Sequence, residues 1–111
     1  MNNINIINLT PHEVNIITDN GNISIPASGT IARCKTEREV TGTINGIPVT
    51  RTKFGEVENL PEPKENTIFI VSSLVAQAVP HRNDVFIPDD SVRDEQGRII
   101  GCRSLGRIWP Q

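Results

Sequence analysis

Apolar residues occur along the first half of the chain in short clusters separated by turn-forming residues, a pattern typical of β-strands. INIINL at residues 4–9 is followed by a break at Pro11, which cannot donate to a sheet ladder. The tetrad DNGN at 19–22 lies between Ile16/Ile17 and Ile23/Ile25, and its glycine permits a positive φ. This region therefore predicts a hairpin, followed after a PASG turn by a strand candidate in TIARC.

A second hairpin is predicted in the segment EVTGTINGIPVTRT. Asn45 and Gly46 lie between Ile44 and Ile47, and an Asn-Gly pair is typical of a two-residue type I′ turn. The composition then changes to KFGEVENLPEPKEN at 53–66, which is rich in acidic residues, proline and glycine. That composition predicts a surface loop, either a solvated connector or a lid over a ligand.

The third region combines a strand, a helix and a strand. TIFIV at 67–71 is a continuous apolar run, which predicts a strand buried on both faces. Ser72 or Ser73 can cap a helix that runs through Val79 and ends at Pro80. DVFIP then predicts a strand reached by a β-α-β crossover, and GRIIGC a last strand. The predicted fold class is α+β: one domain, 1–111, with a small mixed sheet, hairpins and one short helix after a buried strand.

Composition and charge exclude several classes of function. The 111 residues carry a formal net charge of −2 and have a pI near 5.6, so we expect no DNA or RNA partner and no acidic membrane surface. No apolar run approaches the roughly 20 residues that span a bilayer, and a signal sequence is absent, so we expect a cytoplasmic protein. Cys34 and Cys102 lie far apart without metal-ligand spacing, so we predict no metal and no cofactor.

The serines after TIFIV are the first candidate for ligand binding. If that strand is parallel to its neighbour, Ser72 and Ser73 lie at its carboxyl end and at the amino end of the helix. Unpaired amides and the positive end of the helix dipole favour phosphate there. The alternative is that the serines only cap the helix.

Several polar residues elsewhere complete the predicted site. Arg82 can grip a phosphate at two points, or it can form a surface ion pair with Asp84. Arg103 alternates with Cys102, so one of the two faces a cleft and the other the core. The remaining candidates, expected to hydrogen-bond a sugar or a base, are Thr10, His12 and Asn83. Phe69 or Phe86 could stack on a base, although a position in the core is favoured for both.

No recognisable catalytic set accompanies these residues. Nothing near His12 in sequence completes a Ser/His/Asp arrangement, and Cys102 as a nucleophile needs His12 or His81 beside it. We therefore predict no catalytic residues. Trp109 is the only tryptophan, and it can either cover the edge of the core or lie in an interface.

Five segments that span nearly the whole chain carry a resemblance: NLTPHEVNI, IPASGTIAR, GEVENLPEP, IVSSLVAQAVPHRNDVFIPDD and VRDEQGRIIGCRSL. Together they resemble a family of small uncharacterised proteins encoded by phages, prophages and some bacteria. The resemblance implies no activity. In size, context and site chemistry the chain is also similar to phage anti-defence proteins that trap nucleotide immune signals, such as the cyclic ADP-ribose isomers of Thoeris systems.

These observations lead to one hypothesis and three alternatives. We expect a homo-oligomeric, phage-type anti-defence protein that sequesters a small phosphorylated nucleotide without turning it over, through Thr10, His12, Ser72, Ser73, Arg82, Asn83 and Arg103. The first alternative is a small nucleotide hydrolase or lyase that uses His12 or His81 as its base. The second is a protein that inhibits a host enzyme through a sheet edge or the acidic loop, and the third is a minor phage structural component.

Overall fold

The computed structural model describes residues 3–108 and contains mostly β-sheet, with eight strands and one short helix. The α+β prediction is met only loosely, because the helix has six residues. Trp109 lies outside the described residues. The elements are β1 (Asn5–Asn8), β2 (Val14–Thr18), β3 (Gly21–Ile25), β4 (Arg33–Ile44), β5 (Ile47–Glu58), β6 (Thr67–Ile70), α1 (Ser73–Ala78), β7 (Val85–Arg93) and β8 (Ile99–Gly106).

Six strands form one mixed sheet in the order β1-β6-β7-β8-β2-β3. β6 pairs in parallel with both β1 and β7, which confirms the predicted strand, helix and strand unit around α1. β7 pairs antiparallel with β8, and β2 pairs antiparallel with β3, which confirms the first hairpin and the last strand. A parallel contact between Ile16 and Cys102 joins β2 to β8.

The core lies on both sides of β6, as the continuous apolar run predicts. Phe69, Val71 and their neighbours pack under α1 with Leu9, while Ile70 points the other way and packs with Val14 and Cys102. Phe69, Ile70 and Val71 are all 0% exposed. Full burial of such side chains contributes roughly 1.5–3 kcal/mol each, so β6 and the residue that follows it stabilise the fold strongly.

The sheet is curled, so that its two edge strands approach each other. Asn8 at the end of β1 donates from Nδ2 to the carbonyl oxygen of Ile25 at the end of β3, at 3.1 Å. The Asn8 carbonyl in turn accepts from the amide of Ser28 at 3.0 Å. No helix among residues 3–108 is long and apolar enough to cross a membrane.

β4 and β5 form a separate two-stranded hairpin, which we call the arm. Asn45 and Gly46 have φ of 52° and 80°, which confirms the two-residue turn with positive φ at both positions. The prediction of a surface loop over 53–66 is wrong for its first half. β5 continues to Glu58, so only residues 59–66 form a connector. Composition misled here because cross-strand pairing with β4, such as Thr36 with Phe54, extends the hairpin through Phe54–Glu58.

Candidate ligand-binding site

Ser72 is the N-cap of α1. Its backbone is extended, with φ −69° and ψ 157°, and its hydroxyl accepts from the Val75 amide at 3.5 Å. This geometry confirms a serine cap after the buried strand. Ser73 lies inside the helix, where its hydroxyl accepts from Gln77 Nε2 at 3.0 Å. The two serines therefore differ: Ser72 lies at the end of the strand, and Ser73 contacts a neighbour one turn along the helix.

Three of the predicted residues line one cavity, which we call the His12 groove. Thr10, His12 and Ser72 border a space of about 490 Å³ at the carboxyl end of β6. The opposite wall is apolar and includes Ile99 and Ile100, which are 60% and 48% exposed. The remaining lining residues are Pro11, Glu13, Val14, Asn15, Val71, Pro88, Gly101 and Cys102.

Asn8 holds the turn that carries Thr10 and His12. Its side chain is 1% exposed; Nδ2 donates to the His12 carbonyl at 2.8 Å, and Oδ1 accepts from the Thr10 amide at 2.9 Å. The Thr10 hydroxyl lies 2.6 Å from Asn8 Oδ1 and 2.9 Å from the His12 carbonyl oxygen, so the turn itself uses this hydroxyl. Within residues 3–108 the His12 imidazole has no hydrogen-bond partner and is exposed, so it remains open to a ligand.

Sequence reasoning missed Asn8, although a signal for it is present. The residue is polar at an inward position of the apolar run INIINL, and only Leu9 separates it from Thr10 and Pro11. A buried asparagine needs partners for its amide, and the nearest unpaired backbone groups are those of the following turn.

A second cavity, which we call the Arg33 cleft, also borders Ser72. It measures about 370 Å³ and lies between the start of α1 and the base of the arm. Its charged residues are Arg33, Lys35 and Glu58, with Lys35 Nζ 3.1 Å from Glu58 Oε1. The hydrogen bond to Glu58 and the attraction of its carboxylate raise the pKa of Lys35, so this ammonium is charged at neutral pH. Sequence reasoning missed these cations because alternating charges along a strand resemble a solvated face.

Arg82 lies in a different environment, paired with Asp84. Its Nε and Nη2 each donate to one Asp84 carboxylate oxygen at 2.8 Å, and Nη2 also donates to the Pro61 carbonyl at 3.0 Å. The two side chains are 15% and 17% exposed. The hydrogen bonds from Arg82 lower the pKa of Asp84. The pair ties the 59–66 connector to the start of β7.

The other predicted residues also lie outside the His12 groove and the Arg33 cleft. Cys102 is 4% exposed and packs in the core, so Arg103 projects from the opposite face of β8 into solvent. Asn83 accepts through its backbone carbonyl from Arg107 Nη1 at 3.5 Å. The structure therefore brings together Thr10, His12 and Ser72 but not Ser73, Arg82, Asn83 or Arg103, whose binding roles stay predictions.

The two candidate stacking residues, Phe69 and Phe86, lie in different environments. Phe69 is fully buried, so a base cannot stack on its ring. Phe86 lies 5.9 Å from the Arg107 guanidinium carbon, a distance typical of a cation–π contact. Among residues 3–108 no group of three or more His, Cys, Asp or Glu side chains could hold a metal ion.

Comparison with known proteins gave no match: no family model, no curated protein and no solved structure matches this chain. The resemblance to small phage and prophage proteins stays a prediction.

Proposed function

We propose that the protein binds a small phosphorylated nucleotide in the His12 groove and holds it without turnover. The observation that carries the proposal is the meeting of Thr10, His12 and Ser72, from two separate loops, in one groove with an apolar wall. A base is a flat, largely apolar group with polar edges, and such a wall with a few polar groups opposite suits it. With the base in the groove, Ser72 lies at the edge where the phosphate of the same ligand would be placed.

The size of the groove fits a nucleotide. About 490 Å³ lies within the range of roughly 300–1,000 Å³ that is usual for small-molecule sites. Ile99, Ile100 and Pro88 supply apolar contact area on one side, and the His12 imidazole supplies a donor or acceptor on the other. The position of the groove at the carboxyl end of parallel strands is also the usual place for ligands in such sheets.

Retention is favoured over catalysis by the surroundings of the reactive groups. Among residues 3–108 no side-chain hydrogen bond joins His12 to Cys102, Glu13 or Ser72, so no base–nucleophile pair is assembled. The buried Cys102 thiol instead faces the Asn15 carbonyl oxygen at 3.6 Å. In a phage setting, such a protein would remove a nucleotide immune signal, such as a cyclic ADP-ribose isomer, by mass action alone.

A nucleotide hydrolase or lyase is the second candidate, since His12 and Glu13 both line the groove. The test is to incubate the protein with a panel of nucleotides and cyclic nucleotides, remove unbound material, denature with heat and identify what is released by mass spectrometry. We expect one intact compound in proportion to protein. A converted compound would establish the enzyme, and an empty fraction would contradict both candidates and favour a protein partner.

The proposal includes self-association through the arm. One face of the arm carries cross-strand charges, with Glu39 3.6 Å from Lys53, while the other exposes Val40 and Phe54 at 63% and 42%. A two-stranded hairpin is marginally stable in water, so a second copy against this face would stabilise it. Light scattering should give a multiple of 12.2 kDa, and a monomeric mass would contradict self-association.

A further inference from the structure

We infer that the Arg33 cleft binds the phosphate of the ligand, that Arg33 is its main cation, and that this phosphate is internal, with an organic group on each side. The inference rests on the proposed function and adds to it a phosphate subsite and a ligand class. It differs from the predicted use of Arg82 and Arg103, which lie outside the cleft.

Among the described residues, Arg33 has no acidic partner at the base of the arm. In the register of the hairpin Arg33 lies opposite Glu58, where an ion pair is expected. The Glu58 carboxylate instead lies 3.1 Å from Lys35 Nζ, beside a β-bulge whose extra residue is on β5. Within residues 3–108 Arg33 forms neither an ion pair nor a side-chain hydrogen bond.

Gly55 lies in this bulge, opposite Lys35. Between the pairs Cys34–Val57 and Thr36–Phe54, β5 contributes Gly55 and Glu56, whereas β4 contributes only Lys35. A Cβ atom at Gly55 would lie 3.2 Å from the Lys35 carbonyl oxygen and 3.4 Å from Lys35 Cβ, so a side chain there would press on Lys35. Bulges bend a strand and redirect side chains, and they are common beside functional sites. Gly55 therefore permits the irregular pairing beside Arg33 and Lys35.

The groups in the cleft match the chemistry of a phosphate ester. Arg33 offers a planar fork that can donate two hydrogen bonds, and Lys35 offers a second positive charge. The charged residues that line the cleft, Arg33, Lys35 and Glu58, carry a net charge of +1, although the chain as a whole carries −2. The carboxylates of Glu58 and Glu56 both act on Lys35, so Arg33 is the cation that attracts an anion here.

The position of the cleft between two other spaces implies an internal phosphate. On one side Ser72 lines both the cleft and the His12 groove. On the other side Arg33 also lines a shallower cavity of about 380 Å³, together with Gly29, Thr30, Ile31 and Asn59. A ligand with a base in the groove and a phosphate at Arg33 therefore has room for a further polar group beyond the phosphate, as in a diphosphate that links two ribosyl groups.

The test is calorimetric titration of the full chain with adenosine, ADP and ADP-ribose. We expect ADP-ribose to bind most tightly, because only this compound has groups on both sides of its diphosphate. Arg33→Ala should weaken ADP-ribose binding about tenfold or more. Arg33→Lys keeps the positive charge but loses the planar guanidinium, so its affinity for ADP-ribose should lie between those of Arg33→Ala and the unchanged protein. Arg51→Ala, an exposed arginine of the arm, is the matched control and should bind like the unchanged protein.

The outcomes separate the two proposals. Equal affinity of Arg33→Ala and the unchanged protein, with the melting temperature retained, would overturn the phosphate subsite while leaving nucleotide binding intact. Equal affinity for ADP and ADP-ribose would overturn the internal phosphate. Absence of binding to all three compounds, together with an empty fraction in the release experiment, would overturn the proposed function as well.

Discussion

The curled sheet and the arm are both built from β-strands, but different forces stabilise them. In β6 the side chains of Phe69 and Ile70 are completely buried, whereas every residue from 35 to 48 in the arm is exposed. Burial of apolar surface therefore stabilises the sheet, whereas within one copy of the chain the outer arm is stabilised by local pairing and turn geometry. The difference shows that strand formation and contribution to the core are separate properties of a sequence.

The base of the arm is the place where the two regions meet. Cys34 and Val57 are partly buried and pack against the core cluster that contains Phe69. The Arg33 cleft lies at this junction, between a rigid helix start and the less stable arm. A ligand there would contact both regions, so binding should stabilise the arm more than the sheet.

The largest expected effect comes from removing a core side chain of the sheet. Phe69→Ala should reduce the free energy of unfolding by about 3–5 kcal/mol, because it leaves a cavity under α1. Ile47→Ala in the arm is the matched control, and we expect a loss below about 1 kcal/mol because Ile47 is 65% exposed and lies on the face of the arm that carries Lys53. Urea unfolding followed by circular dichroism measures both, and equal losses would contradict the separation of the two regions.

A smaller effect is expected where the ion pair ties the connector to β7. Arg82→Ala should cost about 1–3 kcal/mol, because Asp84 remains mostly buried without its donor and the Pro61 carbonyl loses its partner. Arg51→Ala in the arm should change stability by no more than about 0.5 kcal/mol. Thermal unfolding of the two variants at neutral pH measures the difference. An unchanged melting temperature in Arg82→Ala would mean that the pair adds nothing to stability.

The same pair predicts a pH dependence that belongs to the sheet and not to the arm. Hydrogen bonds from Arg82 lower the pKa of Asp84 from its ordinary value of 3.8. The folded state therefore binds this proton less readily than the unfolded chain, and the resulting stability is present above pH 3.8 and is lost as the pH falls below it. The free energies of unfolding of the unchanged protein and of Asp84→Asn should differ at neutral pH and become equal in acid. A difference that does not change with pH would exclude this contribution of Asp84.

The smallest effect on the whole molecule is expected at the tip of the arm. Gly46 has φ of 80°, so Gly46→Ala should destabilise the turn by about 1 kcal/mol while leaving the melting temperature nearly unchanged. Hydrogen exchange of backbone amides should become faster in β4 and β5 only. Faster exchange in β6 as well would show that the arm and the sheet unfold together.

Local patterns in the sequence predicted the elements whose causes are local. The Asn45-Gly46 turn, the serine cap of α1 and the buried run of β6 each depend on a few neighbouring residues, and the structure contains all three. The extent of β5 was not predictable, because pairing with β4 overrides a composition that is typical of a loop. The candidate site was predictable only where it is formed by a strand end, at Ser72 and at the turn of His12.

By itself the sequence determined where strands, turns and the helix begin, because turn conformations and helix caps depend on neighbouring residues. Only the tertiary structure decided which polar groups face one another. Asn8 reaches the Ile25 carbonyl because the curl brings β1 to β3, and Arg33 lies in a cleft beside Ser72 because the bulged pairing of β4 with β5 places the base of the arm next to α1. The physical reason is that curl and bulge arise from contacts between residues far apart in the chain, which no local pattern records.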